Sequence, residues 1–260
     1  MLDWIVVGFS GVAVGSVLGL VGAGGAMVAI PILTHLLGYS QAQAMSASLL
    51  IVLIAAASGA WRGWQKREAS IPHAIVYGSV GALFAWGAAR IAPGITEDAR
   101  SAGFICVLLA ASFFMIRPAR VAASGAAPES RTSLFRLFLR EGPYAAFIGT
   151  LSGIFGVGGG FLLVPILHLK SRLSFSRTVA TSLVAIIANG VFGFLGALPF
   201  LLASGLRWGP ILGIAAIAFC FSQWIAVRRA RFDERLLRRG FAGMLWALAA
   251  LELWRLYART

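Results

Sequence analysis

The chain has 260 residues, of which 59% are hydrophobic and only 12% charged, and its mean hydropathy is +0.87. A soluble domain carries about 25% charged residues, so half that share excludes a water-facing globular fold and leaves an integral membrane protein. The net charge of +13 does not point to nucleic acid. The 22 basic residues, all Arg except Lys66 and Lys170, lie almost entirely in short gaps between apolar segments, with no basic groove of interleaved aromatics.

The chain opens on Met1-Leu2-Asp3-Trp4, without a positive n-region, so the first apolar segment is expected to stay in the mature protein. The apolar runs of the first half are Trp4–Val21, Ala26–Leu37, Ala42–Ala60, Ile71–Ala89 and Ser101–Ile116. Those of the second are Pro143–Phe155, Gly160–Leu169, Thr178–Ala203, Leu206–Val227 and Gly240–Trp254. Cys106 and Cys220 sit inside apolar runs without metal-ligand spacing and read as small packing residues.

The two halves repeat. A constant offset of 134 carries Gly15, Gly19, Gly22, Gly24, Gly25 and Pro31 onto Gly149, Gly153, Gly156, Gly158, Gly159 and Pro165. The same offset carries Ser48-Leu49 onto Ser182-Leu183 and Gly59 onto Gly193. The chain therefore divides into a first membrane repeat over 1–116, a cytoplasmic linker over 117–141 and a second membrane repeat over 142–260.

A spanning helix needs about 20 residues, and the pieces flanking each glycine cluster fall short of it. If each broken pair crossed once, Lys and Arg would divide 11 to 11 between the two faces. If each pair returns to its starting face, they divide 17 to 5, with only Arg90, Arg100, Arg207, Arg255 and Arg259 on the minority face. The positive-inside rule selects the second arrangement. The expected fold is all-α and integral to the membrane. It has two inverted repeats, each with a glycine-broken re-entrant hairpin plus three transmembrane helices, about eight membrane segments in all. Both termini are then expected outside.

The breaks are Gly19-Leu-Val-Gly-Ala-Gly-Gly-Ala26 and Gly153-Ile-Phe-Gly-Val-Gly-Gly-Gly160. Glycine at this density stops a helix and bares backbone, which survives in hydrocarbon only when buried in protein or lining a polar cavity. The helix that restarts presents free N–H groups and a positive dipole end. The backbone at Gly22, Ala23, Gly24, Gly25 and Ala26, and at Gly156, Val157, Gly158, Gly159 and Gly160, is therefore the candidate site for a small anion. Close helix packing is the competing use of these glycines, and it suits Gly11, Gly15 and Gly19. Neither cluster completes a dinucleotide fingerprint or a phosphate loop.

Polar residues in the following spans extend the candidate site: Ser46 and Ser48, with Thr181 and Ser182 in the matching stretch of the second half, then Asn189, with Gln223 deep in a later span. Serine and threonine could equally bond back to their own helix or join helices. His35 and His168 lie near the ends of the short helices and read as interfacial, as does His73. No Asp, Glu, Lys or Arg falls near the centre of an apolar run, which favours an anion over a cation. Paired carboxylates, metal clusters and nucleophile sets are lacking, so no enzyme activity, metal or cofactor is expected.

The paired Gly-x-x-Gly-x-Gly-Gly-(Ala/Gly)…Pro motifs, each followed by a small-Ser-Leu element, resemble the sulfite exporter TauE/SafE family across the whole chain. Thr181-Ser182-Leu183 resembles that family's Thr-Ser-Leu, whereas the first half reads Ala47-Ser48-Leu49 and lacks one hydroxyl. The resemblance implies a bacterial inner-membrane permease for sulfite, sulfonates or related small anions. Its partners would be the anion and membrane lipid, with assembly into a homo-oligomer open. A passive anion channel and a non-transporting structural membrane protein are the alternatives.

Overall fold

The computed structural model describes residues 2–21, 24–116, 133–171, 173, 175–228 and 234–259, and helix is the only regular structure among them. In chain order the helices are α1 (Leu2–Val21), α2 (Gly25–His35), α3 (Gln41–Gln65), α4 (Ile71–Ile91), α5 (Glu97–Ile116), α6 (Leu134–Phe155), α7 (Gly160–Ser171), α8 (Phe175–Ala203), α9 (Trp208–Arg228) and α10 (Glu234–Arg259). Among the described residues α1, α3, α4, α8 and α9 are long and apolar enough to cross a membrane, and α2 is a shorter apolar helix. Large apolar side chains face outward in rows. Trp61, Trp64 and Trp224 lie exposed near one end of the bundle, with Trp4, Trp254 and Tyr257 near the other, as in the aromatic belts of a bilayer protein. The chain is a multi-pass membrane protein.

α6 starts at Leu134, inside the stretch assigned to the linker, rather than at Pro143. Leu134, Phe135, Leu137, Phe138 and Leu139 extend the apolar pattern backwards, and a proline is tolerated in a membrane helix where neighbours take up the freed backbone. At 22 residues α6 is long enough to span, as is the 20-residue α1, whereas α2 and α7 have 11 and 12 residues. Each break thus joins a long arm to a short one.

Glycines set the packing. Gly11 meets Ile214 and Ile217, Gly15 meets Ala218 and Gly19 meets Ser222, so α1 and α9 run parallel at close approach. In the other pair Gly149 meets the Gly81 backbone and Gly153 meets Ala85, so α6 lies on α4 in the same way. A methyl group at Gly149 would collide with the Gly81 carbonyl, which is why these backbones can touch only at glycine. Each long arm therefore packs on a helix of the other half. The repeat-related α3 and α8 run antiparallel: Leu49 meets Gly193, Leu53 meets Gly190, Gly59 meets Leu183 and Gly63 meets Ala180.

Both arms of the first hairpin return to one end of the bundle. Trp4 and Val7 approach Gly213 near the start of α9. After α2, the Leu37 carbonyl accepts from Arg207 at 2.7 Å, and the Tyr39 hydroxyl donates to the Arg207 carbonyl at 2.7 Å. The end of α10 lies there too, where Glu252 meets His35. Cys106 and Cys220, read as packing residues, are instead exposed, on outward faces of α5 and α9. A thiol is apolar enough to face lipid as readily as to fill a core.

Candidate functional site

The second break is fully enclosed. Gly156 ends α6 at φ 65°, Gly158 and Gly159 follow at φ 67° and 69°, and the stretch Gly156–Gly160 is buried throughout. Left-handed backbone at three of four positions costs a side-chain-bearing residue about 1–2 kcal/mol each, so glycine is demanded by conformation and not by space alone. The first bonds of α7 run from Leu162 and Leu163 N–H to the Gly159 carbonyl at 3.2 and 3.0 Å. The N–H groups before them have no carbonyl within the helix to reach.

Residues from three helices close around this tip. Met45 and Ser48 of α3 abut Gly156, Val52 abuts Gly158 together with Ile186 of α8, and Ile148 and Ser152 of α6 abut Gly159. The Ser48 hydroxyl lies 2.7 Å from the Gly156 carbonyl and 2.6 Å from that of Met45. Ser46 is buried one residue beyond Met45. Ser152 is also wholly buried, and its hydroxyl has no hydrogen-bond partner among the described residues. Sequence reading passed over Ser152, although a serine in the apolar stretch one turn before a break was a signal.

The first break is described in part. Gly22 and Ala23 lie outside the described residues. Gly24 takes φ 84° at the N-cap of α2, with the Phe241 ring of α10 packed against it, and its carbonyl accepts from Met27 N–H at 3.0 Å. Gly25, between Val14 and Leu18 of α1, and Ala26 are buried in the first turn. The side chain of His168 also lies outside the described residues.

The polar candidates of α8 and α9 do not join the second break. Thr181 accepts from Ser70 N–H at 2.8 Å and donates to the Arg177 carbonyl at 2.7 Å, joining the start of α4 to α8. Ser182 donates to the Val179 carbonyl at 2.9 Å. With Gly59 against Leu183 and Gly63 against Ala180, these hydroxyls stand about twelve residues along the helix pair from Ser48, roughly 18 Å. Gln223 reaches the Ser58 carbonyl at 3.4 Å, beside a buried contact of 2.5 Å between the Ser58 and Ser222 hydroxyls. Asn189 lies between these ends, buried against Gly81, and its carbonyl oxygen lacks a partner among the described residues. The candidates thus fall into two separated groups rather than one.

Among the described residues no group of three or more His, Cys, Asp or Glu could hold a metal ion. A groove on the outer face of α4 and α8, lined by Ile75, Leu83, Trp86, Phe192 and Leu195, is apolar and offers nothing to an anion.

An apolar helical bundle whose second glycine break is buried beside the Ser152 hydroxyl, partnerless among the described residues, fits the construction of a membrane transporter. The chain belongs to the sulfite exporter TauE/SafE family, whose model matches residues 7–251. It is 29% identical over 261 residues to a probable membrane transporter protein of Xylella fastidiosa strain 9a5c, covering 96% of this chain and 94% of that one. A second probable membrane transporter protein, from X. fastidiosa strain Temecula1, is 28% identical over 258 residues, with the same coverage. The probable membrane transporter protein YdhB of Bacillus subtilis strain 168 is 27% identical over 185 residues, covering 70% of this chain and 74% of that one. No solved structure matches the chain.

Proposed function

We propose that this protein is a secondary transporter of sulfite, organosulfonates or related small anions across the bacterial inner membrane. The observation that carries the reading is the enclosed tip Gly156–Gly160. There Ser152, whose hydroxyl has no protein partner among the described residues, packs against Gly159 just before α7, and the Ser48 hydroxyl holds the Gly156 carbonyl. N–H groups, a positive helix end and a hydroxyl with no protein acceptor stabilise an oxyanion without a fixed positive charge. The first break, Gly22–Ala26, serves as the counterpart on the anion's route, with Thr181, Ser182 and Gln223 near the same end and Asn189 between the two places.

Each half contributes one broken hairpin and three spans, about eight membrane segments, with the halves inverted. The antiparallel run of α3 against α8 supports this, as does the exchange of long arms, α1 onto α9 and α6 onto α4. The end of the bundle bearing Trp4, Arg207 and Arg255 faces outside with both termini, because 17 of the 22 basic residues belong to the other end. Flux of sulfite or sulfoacetate into proteoliposomes holding the purified protein tests the reading. Saturable flux supports it, and flux no greater than that of empty liposomes refutes it.

A further inference from the structure

Glu141 lies two turns inside α6, only 2% exposed, on the face packed against α4. Its Oε1 stands 3.7 Å from His73 Nε2 of α4, whose own side chain is largely buried. His73 Nδ1 is 2.9 Å from the Ser70 hydroxyl, and the Ser70 N–H donates to Thr181 of α8. Tyr77, one turn further along α4, faces the same carboxylate, and Tyr144 and Arg140 of α6 act on Tyr77. From α8, Arg177 stands one turn before Thr181, and its backbone carbonyl accepts the Thr181 hydroxyl.

The repeat shows what a purely structural residue looks like at this position. The counterpart of Glu141 at the offset of 134 is Val7, also 2% exposed, packed on Gly213 of α9. An apolar side chain is thus sufficient to seat a long arm on its partner helix. A carboxylate withdrawn from water instead costs several kcal/mol unless it is paired or protonated, and ionisable groups inside a membrane helix mark ion and proton pathways. Histidine is the side chain whose ordinary titration falls near neutral pH.

We propose that Glu141 and His73 form the proton-binding site of this protein, coupled to the anion through α6; this rests on the transport reading above. The exchanged proton resides on Glu141 Oε1 or His73 Nε2, the two atoms that face each other. With one proton the pair is imidazolium and carboxylate and holds α6 to α4. With a second proton the carboxyl is neutral and that attraction is lost. α6 ends in Gly156, fifteen residues on from Glu141, roughly 22 Å along the helix. A change in its hold on α4 therefore moves the far tip.

Two measurements on the full-length protein test this. Infrared difference spectra during pH titration should show a buried carboxyl protonating in the wild type. The band should be absent in Glu141→Gln and its midpoint displaced in His73→Gln; the same band in Glu141→Gln overturns the proposal whatever the substrate. In proteoliposomes, methanesulfonate stays ionised across the titration range, so pH effects on its flux belong to the protein. A gradient of one pH unit should drive about tenfold accumulation if one proton accompanies one anion. Glu141→Gln and His73→Gln should reduce that to none while counterflow exchange, which needs no net proton movement, continues. Wild-type accumulation in either variant overturns the coupling. Wild-type protein that titrates but exchanges neither methanesulfonate nor sulfite refutes the transport reading instead, with proton binding upheld by the spectra.

Discussion

The Ser48 hydroxyl reaches across the repeat boundary to the Gly156 carbonyl at 2.7 Å, so a spanning helix of one half holds the break of the other. Its single proton is shared with the Met45 carbonyl at 2.6 Å. Ser48→Ala leaves a buried carbonyl without that donor, at a cost of about 1–3 kcal/mol. A lowered Tm in detergent together with slower anion flux is the expected result.

Ser152 makes the opposite case. Its hydroxyl has no protein partner to lose among the described residues, and removing such a group is close to neutral for stability. Ser152→Ala should therefore leave Tm within about 1 °C while weakening anion binding about tenfold, the loss of one hydrogen bond of about 1.4 kcal/mol. Equal effects on both, read by thermal shift with and without sulfite, would assign Ser152 to packing.

Gly158 combines φ 67° with a Val52 methyl 2.9 Å from where a Cβ would stand. Gly158→Ala is expected to cost about 1–2 kcal/mol from the backbone alone and to lower transport. Gly158→Leu should abolish transport while membrane insertion, measured by fractionation, persists. Loss of insertion before loss of transport would mean that the glycines serve packing only.

His35, at the end of the short helix α2, is held by α10. Arg255 meets its Nδ1, and because arginine only donates, Nε2 carries the hydrogen given to Glu252 at 2.9 Å. His35→Ala and Glu252→Gln should be non-additive by about 0.5–3 kcal/mol in a double-mutant cycle. Additive losses of stability would show that the short arm is held elsewhere.

The topology has its own check. With the exposed Cys106 and Cys220 replaced by Ser, Arg120→Cys and Arg235→Cys should label from the cytoplasm, and Gly38→Cys and Thr260→Cys from outside. Opposite labelling at Arg120 and Arg235 would overturn the inverted hairpins.

Membrane class, repeat and breaks were legible because composition, a fixed offset and glycine clusters are local properties of the chain. Gly11, Gly15 and Gly19 were legible as packing residues because a spacing of four marks one helix face. Glu141 was not, because Pro143 and the arginines beside it read as the end of a linker, and only contact with α4 shows that α6 continues through them. The separation of Ser48 from Thr181 was equally hidden. Repeat symmetry pairs Ser48 with Ser182, the neighbour of Thr181, but the antiparallel register of α3 and α8 sets the two groups near opposite ends. Ser152 has no repeat counterpart with a hydroxyl, so the offset that exposed the other candidates passed over it.

The most direct test of the central claim is uptake of sulfite and sulfoacetate by proteoliposomes, wild type against Gly158→Leu. Saturable uptake that disappears in the variant is the predicted result. Uptake by the wild type that matches empty liposomes, or survives intact in Gly158→Leu, would contradict anion transport at the second break.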